Sequence, residues 1–162
     1  MEKVKVHNTS DVQTNNIGYN TVIWQFCVIL KGAIIGNNCN INCMVFIEND
    51  VRIGDNVSIN NNATIVSEGE GISIGNDTLI GTNVFIADSD FHNLDPDLRL
   101  SNVIKTEKVT IGNNVFIGSN VSILKGVDIG NNSVIAYGSV VTKSIPSNVI
   151  AGGIPCKVIK KL

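Results

Sequence analysis

Isoleucine stands at positions 17, 23, 29, 35, 41, 47, 53, 59 and 65, nine times at a spacing of six without a miss. The series resumes at Ile74, Ile80 and Ile86, and again at Ile111, Ile117, Ile123, Ile129, Ile135 and Val141. An amphipathic α-helix returns to its apolar face every three or four residues, so no helix sustains this pattern. Four residues after these positions comes a small or slim side chain: Thr21, Cys27, Ala33, Cys39, Val45, Val51, Val57 and Ala63, then Thr78, Val84, Val115, Val121, Val127, Ser133 and Ser139. A fixed period of this kind is the mark of a repeat architecture.

A second period lies over the first. Glycine follows isoleucine at 18, 36 and 54, spaced by eighteen, and again at 75, 112 and 130. Three hexapeptides therefore make one turn, and Ile-Gly-Asn/Asp-Asn/Asp corners recur once per turn. Asn, Asp and Gly tolerate the left-handed backbone that a tight corner between short strands requires. The spacing predicts a triangular prism. Each six-residue step is a short strand plus a corner, the aliphatic side chain points inward, and coils stack at ~4.8 Å, the spacing of paired strands. Six coils are expected, beginning at Ile17, Ile35, Ile53, Ile74, Ile111 and Ile129. Composition agrees: 24 Ile and 20 Val stand against 7 Leu and 5 Ala, which favours pleated strands and excludes a helical bundle. With 162 residues the chain suffices for one domain. We expect an N-terminal cap over 1–16, the repeat over 17–146 and a C-terminal cap and tail over 147–162, because the period fails after Val141.

Charge and cysteine usage narrow the function. A net charge of −2 argues against a general nucleic-acid binder, which would carry a basic surplus. No apolar run approaches the ~18 residues of a membrane span, and the first residues hold no apolar signal-peptide core, so a cytoplasmic location is expected with no membrane partner. Cys27, Cys39, Cys43 and Cys156 form no CxxC pair and are expected as free thiols. Cys27 and Cys39 fall on slim inward positions and read as small core residues.

Two interruptions break the period. Between Ile65 and Ile74 three extra residues are accommodated by SEGEG (67–71), and between Ile86 and Ile111 nineteen extra residues form an insert of about 88–106. Long excursions from a rigid repeat line a binding face. This one holds His92, one of two histidines, flanked by Asp88, Asp90 and Asp95. An ordinary imidazole, with a pKa near ~6.5, accepts a proton at neutral pH, and a nearby carboxylate can orient it. The residues alone leave two readings, a general base or a solvated loop histidine. His7 reads as structural or solvent-exposed.

From Ile72 to Leu162 the chain resembles the maltose and galactoside O-acetyltransferases of the hexapeptide acyltransferase superfamily. The resemblance rests on His92 with Arg99 seven residues on, and on the ending VTKSIPSNVIAGGIPCKVIKKL. It implies an all-β fold, a left-handed parallel β-helix. The hand comes from the resemblance, since crossovers are otherwise right-handed. It also implies a homotrimer with sites between subunits and acetyl-CoA as co-substrate, with no metal. In that family the loop histidine is the general base, and His92 occupies its position. INNNATIV (59–66) resembles the segment holding the acceptor-binding asparagine, here Asn60, and Glu68 stands where the family has a substrate-contacting carboxylate. Asp90 is a further acceptor-side acid. Ser119, Tyr137, Thr142, Lys143, Lys157 and Lys160 match coenzyme-contacting positions. Tyr137 departs from the small residue usual there, and Lys157 and Lys160 replace arginines, keeping the charge without bidentate geometry.

Residues 11–59 are similar instead to the N-acetyltransferases acting on nucleotide-linked 3-amino sugars. No helical N-terminal extension of the kind typical of the maltose and galactoside enzymes is expected. The expected function is acetyl transfer from acetyl-CoA to a hydroxyl of a sugar or surface-polysaccharide precursor. The alternative is N-acetylation of a nucleotide-linked amino sugar. A γ-class carbonic anhydrase shares the repeat but needs three histidines around its metal, and this chain has two. An ice-binding β-helix would show flat outward threonine ladders, which are lacking. Acetyltransferases acting on serine or streptogramins are weaker matches.

Overall fold

The structure is a computed structural model and describes residues 3–162. The chain winds as a left-handed parallel β-helix of triangular section. Its three faces are sheets of nine, seven and five strands, visited in the order first, second, third and first again. The third face also gains single parallel bridges of Ile17 to Ile35 and Ile129 to Ile145. Most strands are two residues long, one side chain outward and one inward, as in Val22–Ile23 and Phe46–Ile47.

The six-residue period builds the core directly. Ile23, Ile41, Ile59, Ile80, Ile117 and Ile135 lie in register on the first face, each fully buried over the next. Burying one such side chain contributes about 1.5–3 kcal/mol. The slim positions fill the remaining volume at the corners. Where they are polar, the hydroxyl is satisfied by backbone: Thr21 Oγ1 donates to the Gly36 carbonyl at 2.8 Å and Ser133 Oγ to that of Pro146 at 2.8 Å.

We call the corners between first and second faces the first edge, between second and third the second edge, and between third and first the third edge. The Gly-Asn/Asp repeats all lie on the third edge. There Asn37, Asp55, Asn76, Asn113 and Asn131 each accept the backbone N–H of the residue one coil earlier, at 2.7–3.0 Å. The following residues Asn38, Asn56, Asp77, Asn114 and Asn132 turn the chain with φ of 54–59°. Glycine is required because the coils approach closely. A Cβ on Gly75 would sit 2.6 Å from the carbonyl carbon of Gly112 and against the Asn113 amide oxygen. Gly75→Ala is expected to cost about 1–3 kcal/mol by overpacking. The check is a lowered urea midpoint, and an unchanged midpoint would mean that the coils can separate.

The stack is longer than the isoleucine series. Six coils are expected from sequence, and the structure has about eight turns. Lys5–Val6 and Asp11–Val12 pair in parallel with Val22–Ile23 and Val28–Ile29, so residues before Ile17 already form a coil. Val6 and Val12 take the inward register of Ile23 and Ile29, but Ile17 follows Val12 by five residues, and that shortened step hides the coil. At the other end Ile150 and Ala151 pair with Val134 and Ile135, and Lys157–Lys161 folds back antiparallel to close the first face.

Candidate active site

The two interruptions leave from the same edge. SEGEG joins Thr64–Val66 to Ile72–Ile74, and the insert joins Phe85–Ala87 to Val109–Ile111, one coil later on the second edge. One buried side chain ties them. Asp88 is fully buried, and its carboxylate accepts from Ser67 Oγ at 2.8 Å, Glu68 N at 2.7 Å and Gly71 N at 2.8 Å. Its carbonyl accepts from Glu107 N at 2.8 Å, closing the foot of the insert. Above, Asp90 forms an ion pair with Lys125 at 3.0 Å, and Gly126 N donates to the Glu107 carbonyl at 3.0 Å. The arm is thus fixed at its foot to the coils on both sides, and its tip is exposed.

His92 sits where the arm leaves this foot. Its backbone N–H donates to the Asp90 carbonyl at 2.7 Å, after Phe91 turns the chain with φ of 61°. The imidazole is exposed and lines a cavity of about 250 Å³ with Phe91, Arg99, Leu100, Ser101 and Asn102. The expectation that a flanking carboxylate orients the ring is not met within one chain. Asp88 holds the bulge, Asp90 holds Lys125, and Asp95 accepts the Asp97 N–H at 3.0 Å. Arg99 Nη2 donates to the Leu94 carbonyl at 3.2 Å, shaping the arm beside the cavity.

The sequence-derived site residues separate into two sets. His92, Glu68, Asp90, Thr142 and Lys143 belong to the second edge. Asn60, Ser119 and Tyr137 belong to the first edge, and Lys157 and Lys160 to the hairpin that ends the first face. Asn60 Oδ1 accepts from Asn42 Nδ2 at 2.8 Å. Ser119 Oγ accepts from Thr82 N at 3.1 Å, and Tyr137, largely exposed, pairs its hydroxyl with the Asn120 amide. Thr142, Lys143, Lys157 and Lys160 are exposed. A single chain therefore does not bring the two sets together.

Glu48, which the sequence did not single out, adjoins this cluster. It lies on the second edge one coil below SEGEG and accepts from Ser67 N at 3.2 Å. Burial pushes its carboxyl above the ordinary value, and the neighbouring Glu68 and Asp88 charges push the same way. A carboxyl harder to ionise in the folded state opposes folding once it must be charged. That penalty begins to shrink as pH falls through the raised value and is gone only below the ordinary one. Glu48→Gln keeps an acceptor for Ser67 N. It is expected to raise Tm at pH ~7, with the gain shrinking as pH falls and gone by pH ~3, below the ordinary glutamate value of ~4.3. A gain that persists in acid would show that charge is not the cause. The buried thiols Cys27, Cys39 and Cys156 are pushed up by burial, in keeping with core roles.

Comparison with known proteins agrees with this architecture. The family model described as bacterial transferase hexapeptide (six repeats) matches residues 108–143, and that of the hexapeptide repeat of succinyl-transferase matches residues 45–87. Galactoside O-acetyltransferase of Escherichia coli is 42% identical over 71 residues, which is 44% of this chain and 35% of that protein. The match thus spans less than half the length of such relatives. The solved hexapeptide-repeat containing acetyltransferase VCA0836 of Vibrio cholerae is 30% identical, with 90% of this chain and 72% of that one covered and a TM-score of 0.69. A solved galactoside acetyltransferase in complex with coenzyme A is 38% identical, with 90% and 64% covered and a TM-score of 0.69.

Proposed function

The chain belongs to the hexapeptide-repeat acyltransferase superfamily, and from that premise we propose that it transfers the acetyl group of acetyl-CoA to a hydroxyl of a sugar or surface-polysaccharide precursor. The observation that carries this reading is the exposed His92, held on an arm fixed at its foot to the coils on both sides, beside a cavity. His92 takes the proton of the acceptor hydroxyl as its oxygen attacks the thioester carbonyl. The C–O bond forms, the C–S bond breaks, and the proton passes to the departing thiolate. A positioned base contributes about 10²–10⁴-fold. A backbone N–H of a rigid coil suits the developing oxyanion, because it need not reorganise.

The coenzyme set is consistent with an anionic tail. Ser119, Tyr137, Thr142, Lys143, Lys157 and Lys160 all lie in the last levels of the stack, and the three lysines are exposed cations. The split of site residues over two edges supports a homotrimer, in which the second edge of one copy faces the first edge of the next. Outward side chains favour the same pairing. The upper first face presents Leu79, Phe116, Val134 and Ile150 above Asn40 and Ser58, and the second presents Val28, Phe46, Phe85 and Val140 with Thr64 and Ser122 between, whereas the third presents Ile34 and then Arg52, Ser73, Thr110 and Asp128. Apolar area of this kind marks an interface.

N-acetylation of a nucleotide-linked amino sugar is the second reading, favoured by the residues over 11–59. The test is transfer from acetyl-CoA to matched panels of sugar hydroxyls and amino sugars. Hydroxyl acceptors are expected to turn over faster; preference for the amine would reverse the assignment. Sedimentation of an active monomer would contradict the shared site.

A further inference from the structure

The first corner residue of the first edge recurs every eighteen residues as Trp24, Asn42 and Asn60, one directly above another, and then as small residues in Gly81, Gly118 and Ala136. The lower three are joined by side-chain hydrogen bonds. Trp24 Nε1 donates to Asn40 Oδ1 at 2.8 Å, Asn40 Nδ2 to Asn42 Oδ1 at 3.1 Å, and Asn42 Nδ2 to Asn60 Oδ1 at 2.8 Å. The indole is thereby fixed at its nitrogen while remaining 43% exposed. It lines a cavity of about 240 Å³ with Val6, His7, Val22 and Ile23, and with Lys5 at its wall.

Two neighbours on this edge depart from the corner rule. The next turn positions hold Phe26 and Met44 at φ of 60° and 61°, where other levels have Asn62, Asn83, Asn120 and Gly138. Both side chains are more than half exposed. Bulky residues in the left-handed region cost about 1–2 kcal/mol each, so apolar side chains are kept on the surface here against local preference.

The edge is also uncharged. Residues 24–27, 42–45, 60–63, 81–84, 118–121 and 136–139 contain no Asp, Glu, Lys or Arg, unlike the corners of the other two edges. A diphosphate bound along these corners would find no cation among them, and the Lys5 amine at the cavity wall stands on the adjoining strand. An aromatic face beside a ladder of amides fits the two surfaces of a sugar ring, its C–H face and its hydroxyl rim.

We propose that Trp24, the adjoining cavity and the Asn40–Asn42–Asn60 ladder form an outer saccharide subsite, so that the acceptor is a glycan of at least two units. This rests on the acetyltransfer reading and on Asn60 holding the reacting sugar. Trp24 lies two coils below Asn60, about 10 Å at the spacing of paired strands, further than one ring reaches. The outer unit stacks on Trp24 and the reacting unit sits at Asn60, with the small corners above leaving room for the arm of the neighbouring copy.

Trp24 is the single tryptophan, so its fluorescence reports the subsite without any turnover. The full chain is titrated with maltose, lactose and cellobiose, with glucose and galactose, and with UDP. A saturable change in emission is expected with a disaccharide and not with the monosaccharides or UDP. Trp24→Ala is expected to raise KM for the disaccharide about tenfold at unchanged kcat, the equivalent of one good stacking contact, with Trp24→Phe recovering part of it. No change with any disaccharide, or a change with UDP alone, overturns the subsite. Acetylation of sugars with unchanged Trp24 emission also overturns it while sparing the parent reading. Disaccharide binding with no transfer to any acceptor would leave the subsite and sink that reading.

Discussion

Replacing His92 by alanine is expected to lower acetyl transfer to hydroxyl acceptors by about 10²–10⁴-fold while leaving thermal unfolding unchanged. The two halves of this expectation have separate causes. A sugar hydroxyl is a poor nucleophile until its proton is removed, so loss of the base falls on the chemical step. The imidazole is exposed and its ring makes no hydrogen bond within the described chain, so the fold gains little from it. An amine attacks once neutral and needs less from a base. Steady-state rates on both acceptor types, with a melting curve beside them, check the prediction. Near-wild-type rates on hydroxyl acceptors would remove His92 from the mechanism, and turnover kept only on an amino sugar would favour N-acetylation.

Asp88→Ala is expected to be the most damaging single change outside the isoleucine core. It would strand three donors at once, the Ser67 hydroxyl and the Glu68 and Gly71 amides. An unsatisfied buried group costs about 1–3 kcal/mol, so the loss is on the order of 3 kcal/mol even if water rescues part of the set. Activity should fall further than the unfolded fraction accounts for, because the same carboxylate joins the Glu68 turn to the foot of the His92 arm. Asp88→Asn preserves shape but turns an NH₂ toward N–H donors, and should lie between. Urea midpoints paired with kcat and KM at a temperature where both variants are folded give the measurement. A variant as stable and active as the parent would show that the bulge and arm are held by other contacts.

Some of this was legible without a structure. The six-residue period named the buried isoleucines, the eighteen-residue glycines named the third edge, and the two interruptions named the segments that leave the prism. The initial coil was not legible, because the step from Val12 to Ile17 is one residue short and no series begins from Val6. Nor was the role of Asp88. Adjacency along the chain placed it beside His92, whereas its carboxylate turns back to the SEGEG turn, twenty residues earlier. The ladder from Trp24 to Asn60 passes through Asn40, an outward strand residue off the eighteen-residue spacing, so the period alone does not reveal it.

The sequence alone determined the inward face of the chain, because a rigid period leaves each side chain one direction and each strand one register. Only the tertiary structure decided which outward groups meet. A hydrogen bond of 2.8 Å between residues eighteen or twenty-one apart depends on stacking and on the bulges between coils, as with Asn42 and Asn60 or Ser67 and Asp88. Three-dimensional winding also put His92 and Asn60 on different edges, since a prism sends successive corners of one coil in three directions.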